Sequence, residues 1–350
     1  MKDSNYMVGI VGFGGMGNWH RELLRDFTEI RCAGIYDIDP ARQALAQELG
    51  LRVYDSLEEL LGDDTIDIVT IATPNDLHRE QAIAAMKAGK AVVCEKPVTL
   101  CLEDLQAMID QANRSGVLFT VHQNRRWDED YRTIRKLYEE KTLGEVFNIE
   151  SRVHGSRGIP GDWRGRKAQG GGMVLDWGVH ILDQLLQMIP ERIVSVYARM
   201  THVTNAEVED GFQIFLTYES GLTALAEVGT SHFITLPRWV MHGENGTALI
   251  EDFAVNGRIV RVTNWDGKDA VPVRTAAGLT KTMAPRTEET IREEALPKVS
   301  SDIHDFYRNV VEVLQGKAVS RIRHDELVRC MKLMEAAFRS AEKGQAVPFE

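Results

Sequence analysis

Residues 7–17 read Met-Val-Gly-Ile-Val-Gly-Phe-Gly-Gly-Met-Gly and join a short apolar run to a string of glycines. The last six residues have the form G-x-G-x-x-G, which is weak evidence when it stands alone. The context strengthens it, because the string follows a predicted strand and opens a predicted helix through Trp19–Phe27. The next apolar run ends at Asp37, twenty residues beyond Gly17. A strand, a glycine turn, a helix and an acidic residue in this order indicate a dinucleotide-binding unit.

Each part of this fingerprint has a physical role in holding a dinucleotide. Gly12 permits the tight turn, Gly14 lets the backbone approach the pyrophosphate, and Gly17 lets the helix pack closely on the strand. The free N–H groups at the start of the helix then receive the phosphate oxygens. The predicted cofactor-binding stretch comprises Gly12, Phe13, Gly14, Gly15, Met16 and Gly17.

Asp37 bears on the choice between the two nicotinamide dinucleotides. Its carboxylate is predicted to accept hydrogen bonds from the adenosine ribose hydroxyls, and it would repel a 2′-phosphate. The sequence therefore favours NAD over NADP. Arg42, five residues further on, is close enough to weaken that preference.

The chain divides into two regions with different patterns. From residue 7 to about 121, short apolar runs alternate with amphipathic helical stretches, which is typical of a parallel sheet covered on both faces. Further on, strands follow one another through short turns, which indicates an antiparallel sheet. We predict a doubly wound α/β domain, of the Rossmann type, over residues 1–123 and an α+β domain with a mainly antiparallel sheet over residues 124–350.

The second region also contains predicted helices and one long polar stretch. Helices are predicted over Asp128–Lys141, Met173–Ile189, Ser301–Leu314 and Asp325–Lys343. The last two can pack back on the first domain. The stretch Asp266–Pro297 is polar with scattered proline and glycine, and it is predicted to form a long surface loop or a flap.

Composition excludes several classes of partner. The net charge of −11 argues against a general affinity for nucleic acid or an acidic membrane surface. No run approaches the ~20 apolar residues of a membrane helix, and the first apolar run leads into glycines rather than a signal-peptide cleavage site. The four cysteines are too scattered for a disulfide framework, and no histidine cluster accompanies them. We therefore predict a cytoplasmic protein without a metal site.

Three further motifs carry a resemblance to a known family. They are Ala72-Thr73-Pro74-Asn75-Asp76-Leu77-His78, Cys94-Glu95-Lys96-Pro97, and the stretch from Gly170-Gly171-Gly172 to Asp176-Trp177-Gly178-Val179-His180. Together with the fingerprint they resemble the glucose–fructose oxidoreductase and inositol dehydrogenase family (Gfo/Idh/MocA) over nearly the whole chain. The resemblance implies a Rossmann domain, an open and mainly antiparallel second sheet, and a substrate bound between the domains. It also implies a homodimer or homotetramer built through that sheet.

Lys96, Asp176 and His180 are the predicted catalytic residues, and all three are also predicted to bind substrate. Lys96 follows a parallel strand at the edge where ligands bind, and an amine there can stabilise a developing alkoxide or carry its proton. Asp176 and His180 stand four apart on a predicted helix, so the carboxylate could orient the imidazole. The same spacing also occurs on any half-exposed helix. The sequence does not decide whether Lys96 or His180 is the base.

Two further sets of residues are expected to contact ligands. Thr73, Pro74, Asn75, His78, Glu95 and Lys96 are implied to contact the cofactor, and Asn75 could instead cap the next helix. Asn124, Arg126, His154, Arg157, Trp163 and Arg164 are predicted to bind substrate, or they could simply anchor loops. Arginine and tryptophan suit a hydroxyl-rich ring, because the indole covers an apolar face and the guanidinium donates to oxygens. Such a site also admits an anionic sugar.

The predicted function is hydride transfer between a nicotinamide ring and a hydroxyl-bearing carbon of a sugar, polyol or inositol-like substrate. Two alternatives stay open. A redox-neutral glycosidase or epimerase would retain NAD through transient oxidation, and a regulator on the same fold would sense ligands without turnover. Retention of Lys96, Asp176 and His180 argues against the regulator, because a sensor needs none of them.

Overall fold

The computed structural model describes residues 5–267 and 270–350, and its first region is a six-stranded sheet with helices. The elements in chain order are β1 (Tyr6–Val11), α1 (Gly15–Leu24), β2 (Ile30–Tyr36), α2 (Pro40–Glu48), β3 (Arg52–Val53), α3 (Leu57–Gly62), β4 (Ile68–Ile71), α4 (His78–Lys87), β5 (Ala91–Cys94), α5 (Leu102–Ser115) and β6 (Phe119–Val121). The strand order is β3-β2-β1-β4-β5-β6 and all pairs are parallel. The order reverses between β1 and β4, so the carboxyl ends of those strands frame the crevice where such sheets bind ligands.

Local sequence explains most of these elements. The strands β4, β5 and β6 are fully buried, because helices cover both faces of the sheet. Helix α2 begins at Pro40 as predicted, and Asp39 caps it by accepting from the Ala41 N–H at 2.9 Å. The two-residue strand β3 is too short to show a periodic pattern, and the sequence did not predict it.

The second region is built on a nine-stranded sheet. Its elements are α6 (Glu129–Glu139), β7 (Val146–His154), α7 (Val179–Met188), β8 (Ile193–Thr201), β9 (Gly211–Tyr218), β10 (Thr223–Gly229), β11 (Trp239–Gly243), β12 (Gly246–Ile250), β13 (Gly257–Val262), β14 (Val273–Thr275), β15 (Gly278–Thr280), β16 (Ile291–Ala295), α8 (His304–Leu314), α9 (His324–Lys343) and β17 (Val347–Pro348). The order is β16-β13-β12-β11-β7-β10-β9-β8-β17, and among the described strands of this second sheet only the β7–β10 pair is parallel. The predicted fold class is confirmed.

The stretch Asp266–Pro297 is more ordered than the sequence predicted. Its described residues form a separate hairpin, β14–β15, and the edge strand β16 of the large sheet. Residues 268 and 269 of this stretch lie outside the described part. The prediction of a loop missed β16 because its sequence, Ile-Arg-Glu-Glu-Ala, is charged, and an edge strand can carry charge on its exposed face.

One face of the large sheet is covered by helices and the other is open. In β9, Phe212, Ile214 and Leu216 are buried, whereas Phe215 points the other way and is 41% exposed. Helix α9 packs on β8 and on α7, so the buried face is the helix-covered one. The active-site helix α7 therefore lies on the inner face of this sheet.

The two closing helices also contact the first domain. The Leu102 N–H at the start of α5 donates to Glu335 of α9 at 2.9 Å. The Tyr307 hydroxyl of α8 lies 3.3 Å from the Thr70 hydroxyl in β4. Within the described residues, no helix has the length and apolar character needed to cross a membrane.

Candidate active site

The glycine loop between β1 and α1 has the shape that a dinucleotide requires. A Cβ on Gly12, which has φ of +87°, would lie 2.7 Å from the Ala72 carbonyl oxygen. A Cβ on Gly17 would lie 2.0 Å from the Gly12 carbonyl oxygen, so both positions require glycine. A Cβ on Gly14 would meet no protein atom within 4 Å. This open space at the start of α1 fits a pyrophosphate.

Asp37 holds the same loop from the end of β2. Its Oδ2 accepts from the Phe13 N–H at 2.5 Å, and its Oδ1 accepts from the Asp39 N–H at 2.8 Å. The side chain is half-buried. The carboxylate therefore lies beside the glycine loop, where the adenosine ribose of a dinucleotide would reach it.

Lys96 and Asp176 meet at the join between the domains. The Lys96 ammonium donates to the Asp176 carbonyl oxygen at 2.9 Å and to its Oδ1 at 3.0 Å. The Arg164 Nε lies 3.5 Å from the other carboxylate oxygen. Burial raises the pKa of Asp176, but the charges of Lys96 and Arg164 outweigh it and lower the pKa below its usual range. Asp176 is therefore an anion bridging two cations.

Within the described residues, the His180 ring does not donate to the Asp176 carboxylate, although the helical spacing predicted that it could. The helix predicted over Met173–Ile189 opens with a π-helical turn, Val174–Gly178, and continues as α7. The wider turn changes the angular spacing of the two side chains, and Asp176 bonds to Lys96 instead. Nδ1 of His180 is buried and has no hydrogen-bond partner within the described chain.

Burial, followed by the nearby charges of Lys96 and Arg125, holds the pKa of His180 well below its usual range. The imidazole is therefore neutral at neutral pH and can accept a proton. The site combines a cationic amine with a neutral base.

The loop after β4 holds the two domains together. The Asn75 amide donates to the Gly170 carbonyl oxygen at 2.9 Å and does not cap a helix. Thr73 donates from its hydroxyl to Gln81 at 2.7 Å. The ring nitrogens of buried His78 lie 3.0 Å from the Pro97 carbonyl oxygen and 2.9 Å from that of Thr73. Burial lowers the pKa of His78, so the neutral ring carries one N–H and can donate to one of these two oxygens. The buried ring braces the two loops, and its contact with the cofactor stays a prediction.

The Glu95 carboxylate is likewise engaged by protein groups, and the contact with the cofactor that the resemblance implies stays a prediction. It is 5% exposed, and its Oε1 accepts from His20 at 2.8 Å and from His122 at 2.7 Å. Burial raises the pKa of Glu95, but the two histidines outweigh it and lower the pKa well below its usual range. The carboxylate is turned into the protein.

Two of the residues predicted to bind substrate have other partners, and a third is exposed, so that its contact with substrate stays a prediction. Arg126 donates to both carboxylate oxygens of Asp183 and to Glu326, so its guanidinium joins helices. His154 lies beside Glu227, on the face of the sheet opposite to α7, because alternate residues of a strand point to opposite faces. Arg157 is exposed.

The remaining three stay compatible with a substrate contact. Arg164 approaches Asp176, and its guanidinium lies 4.5 Å from the centre of the Trp163 ring system. The Oδ1 of Asn124 is buried without a hydrogen-bond partner in the described chain.

The structure adds three residues that sequence reasoning missed. The Arg125 guanidinium lies 4.1 Å from the centre of Trp177 and 5.4 Å from that of Phe253. The Trp177 ring is 5.8 Å from that of His180. Phe253 belongs to the turn between β12 and β13 and is 47% exposed. An exposed aromatic residue in a turn was the available signal, but nothing in the sequence places that turn beside α7.

Comparisons with known proteins agree with this arrangement. Residues 6–123 match the family model described as an oxidoreductase family with an NAD-binding Rossmann fold, and residues 131–249 match the Gfo/Idh/MocA C-terminal domain. The chain is 29% identical to scyllo-inositol 2-dehydrogenase (NADP(+)) of Bacillus subtilis, over 98% of this chain and 96% of that protein. It is 27% identical to myo-inositol 2-dehydrogenase of Thermotoga maritima, over 72% of this chain and 74% of that protein.

A solved structure is also closely similar. The NAD-binding protein from Listeria innocua superposes with a TM-score of 0.96 at 47% identity, covering 99% of this chain and 100% of that chain. The two family models together span most of the chain in the order that the fold requires. The chain therefore belongs to the Gfo/Idh/MocA family of oxidoreductases and is an NAD(P)-dependent dehydrogenase acting on CH–OH groups.

Proposed function

We propose that the chain uses NAD to oxidise a hydroxyl-bearing carbon of a sugar, polyol or inositol-like substrate. The observation that carries the proposal is the Lys96 ammonium, fixed on Asp176 close to a neutral His180. A cation that stabilises an oxyanion and a base that takes a proton are the two groups that alcohol oxidation needs from the protein.

The protein side of the reaction follows from the hydrogen bonds. Two acceptors on Asp176 hold the Lys96 ammonium, which leaves its third N–H for the substrate oxygen. The charge of the ammonium then stabilises the developing alkoxide, and His180 takes up the hydroxyl proton. The bound nicotinamide supplies the hydride acceptor.

Aromatic and cationic side chains support a hydroxyl-rich substrate. Trp177 and Phe253 hold the Arg125 guanidinium near His180, and Trp163 with Arg164 lies on the Asp176 side. Rings of this kind cover the apolar face of a sugar, while guanidinium N–H groups donate to its oxygens. Inositols, aldoses and uronates all meet these requirements.

The direct test is NADH absorbance with purified protein, NAD or NADP, and a panel of inositols, aldoses, uronates and simple glycosides. Stoichiometric NADH formation with a cyclic polyol or sugar would support the proposal. A panel without any NADH formation, although NAD binding is measurable, would overturn it in favour of a redox-neutral enzyme or a sensor.

Replacing Asp37 with serine is expected to raise the ratio of NADP to NAD utilisation roughly 10–100-fold, because the change removes a negative charge next to the 2′-phosphate position. The measurement is kcat/KM with each cofactor. Asp39→Ser is the matched control: serine still caps α2 and also removes one charge, two residues away. Equal shifts in both variants would exclude a specific role for Asp37. The name of the Bacillus subtilis relative includes NADP(+). The ratio of NADP to NAD utilisation by the wild-type protein therefore tests the proposed preference for NAD by itself.

We also propose that two copies associate through the open face of the nine-stranded sheet. Phe215 is exposed on that face, with its ring 6.2 Å from that of Tyr197. Large exposed apolar groups on a helix-free sheet favour association. Light scattering at several protein concentrations tests this, and a monomer at every concentration would refute it.

We also propose that the boundary between the two domains lies between residues 123 and 124, directly before Asn124.

A further inference from the structure

A cluster of four buried polar side chains lies beneath the loop that carries Lys96. His20 of α1, His122 after β6 and Tyr307 of α8 are each fully buried, and Glu95 is 5% exposed. The Tyr307 hydroxyl lies 2.7 Å from His20 Nδ1, and His20 Nε2 lies 2.8 Å from Glu95 Oε1. His122 Nδ1 lies 2.7 Å from the same oxygen. The cluster thus joins three parts of the Rossmann domain to a closing helix.

Hydrogen-bond polarity fixes how these groups are protonated. The Glu95 carboxylate can only accept, so the neutral His20 ring carries its hydrogen on Nε2, and its Nδ1 accepts from the Tyr307 hydroxyl. His122 donates from Nδ1. No lysine or arginine side chain within the described residues donates to Glu95, so two imidazole N–H groups stabilise its buried negative charge. Such a charge is costly unless it is well hydrogen-bonded.

The separations favour hydrogen bonds over a metal ion. Two ligand atoms at about 2.1 Å from one zinc ion in tetrahedral geometry lie about 3.4 Å apart. The two nitrogens here approach one carboxylate oxygen to 2.7 and 2.8 Å. Those are hydrogen-bond lengths.

The second carboxylate oxygen of Glu95, Oε2, connects the buried cluster to Lys96. Oε2 accepts from the Lys96 backbone N–H at 3.1 Å, while on the other side of Lys96 the Pro97 carbonyl oxygen is 3.0 Å from His78. The peptide group before Lys96 and the one after Pro97 are therefore held by side chains. Because the backbone next to Lys96 is held, the direction in which its side chain extends toward Asp176 is restricted.

We propose that Glu95 is a positioning residue: the His20–Glu95–His122–Tyr307 cluster fixes its carboxylate, which in turn fixes the Lys96 backbone and places the ammonium for reaction. The inference rests on the proposed role of Lys96. It concerns a buried carboxylate whose hydrogen-bond partners are groups of the protein.

Glu95→Gln is the first test. Glutamine can still accept from both histidines, but its amide NH₂ would face the Lys96 N–H and break that bond. We expect kcat to fall roughly 10–100-fold, with the KM for NAD changed less than about threefold. An unchanged kcat, even with lower stability, would overturn the proposal.

A matched pair at His122 keeps the test informative if Glu95→Gln fails to fold. Asparagine places an amide N–H near the position of Nδ1, so His122→Asn preserves the donor to Glu95 and removes the rest of the ring. His122→Leu removes the donor at similar size. We expect His122→Asn to keep most of the wild-type kcat and His122→Leu to lose about tenfold. Equal losses would mean that the ring itself is required, which contradicts positioning through Glu95.

A readout without turnover separates this inference from the proposed function. Reductive ¹³C-methylation of lysines gives one resonance for Lys96, assigned by its loss in Lys96→Arg. We expect that resonance to shift in Glu95→Gln and in His122→Leu but not in His122→Asn. If no sugar is oxidised but this pattern holds, the proposed function fails and the positioning stands. If sugars are oxidised and the resonance is the same in all variants, the positioning fails alone.

Discussion

Lys96→Met is expected to lower kcat by about a thousandfold while the dissociation constant for NAD changes less than about threefold. Methionine keeps the length and apolar stem of lysine but removes the charge that rests on Asp176. Loss of one preorganised group that stabilises an oxyanion costs about 10²–10³ in rate. A thousandfold loss corresponds to about 4 kcal/mol of transition-state stabilisation. Stopped-flow or steady-state NADH absorbance measures it.

The control for this variant is Lys87→Met, which makes the same chemical change at an exposed position in α4. It is expected to behave as wild type. NAD binding can be followed separately by fluorescence titration or calorimetry. A Lys96→Met enzyme that turns over within about tenfold of wild type would remove Lys96 from the mechanism.

Arg126→Met is expected to destabilise the fold by about 3–5 kcal/mol, because it leaves the buried carboxylate of Asp183 and the half-buried one of Glu326 without their cation. Arg126 donates to Asp183 at 2.7 and 2.6 Å and to Glu326 at 2.8 Å. Side-chain exposure is only 11% for Arg126 and 3% for Asp183. Burial lowers the pKa of Arg126, but the two carboxylates outweigh it and raise the pKa above its usual value. The midpoint of urea unfolding is the measurement.

Two further variants serve as controls for the effect of Arg126→Met. Arg192→Met removes a surface ion pair with Glu219 at 3.0 Å, where both side chains are at least half exposed, and the midpoint should change little. The double variant Arg126→Met/Asp183→Leu should recover part of the loss, because it removes the stranded charge along with its partner. If Arg126→Met unfolds at the same urea concentration as Arg192→Met, the buried network has no stabilising role.

The parts of the fold that follow from local pattern could be predicted from sequence. The glycine loop, the strand ending at Asp37 and the alternation of strand and helix each have a periodicity or a spacing of their own. Lys96 could be placed at the ligand-binding edge because parallel strands share that edge. The charged edge strand β16 could not be predicted, because it is a strand through its pairing with β13, which ends nearly thirty residues earlier in the chain.

The partners of the polar side chains were harder to predict, for reasons that differ from residue to residue. Asp176 and His180 are correctly spaced for a regular helix, and the π turn breaks that rule. His154 needed the strand's register, because a shift of one residue moves a side chain to the other face. Glu95 is hydrogen-bonded to His20, and Arg126 to Glu326. Both partners lie in elements distant in sequence, and no short-range pattern indicates such pairs.

The contact between Tyr307 and His20 has a consequence for how the chain is made. Translation runs from the N-terminus, so residues 6–121 leave the ribosome well before α8 exists, and His20 then lacks its hydroxyl donor. The glycine loop depends only on neighbouring segments, such as Ala72 and Asp37, and can form at that stage. Under the proposed role of Glu95, a nascent chain can hold its nucleotide early, but it gains a fixed Lys96 only after α8 has been translated. Under that role, redox activity arrives late in synthesis, when the first sheet is complete and only the edge strand β17 of the second is still missing.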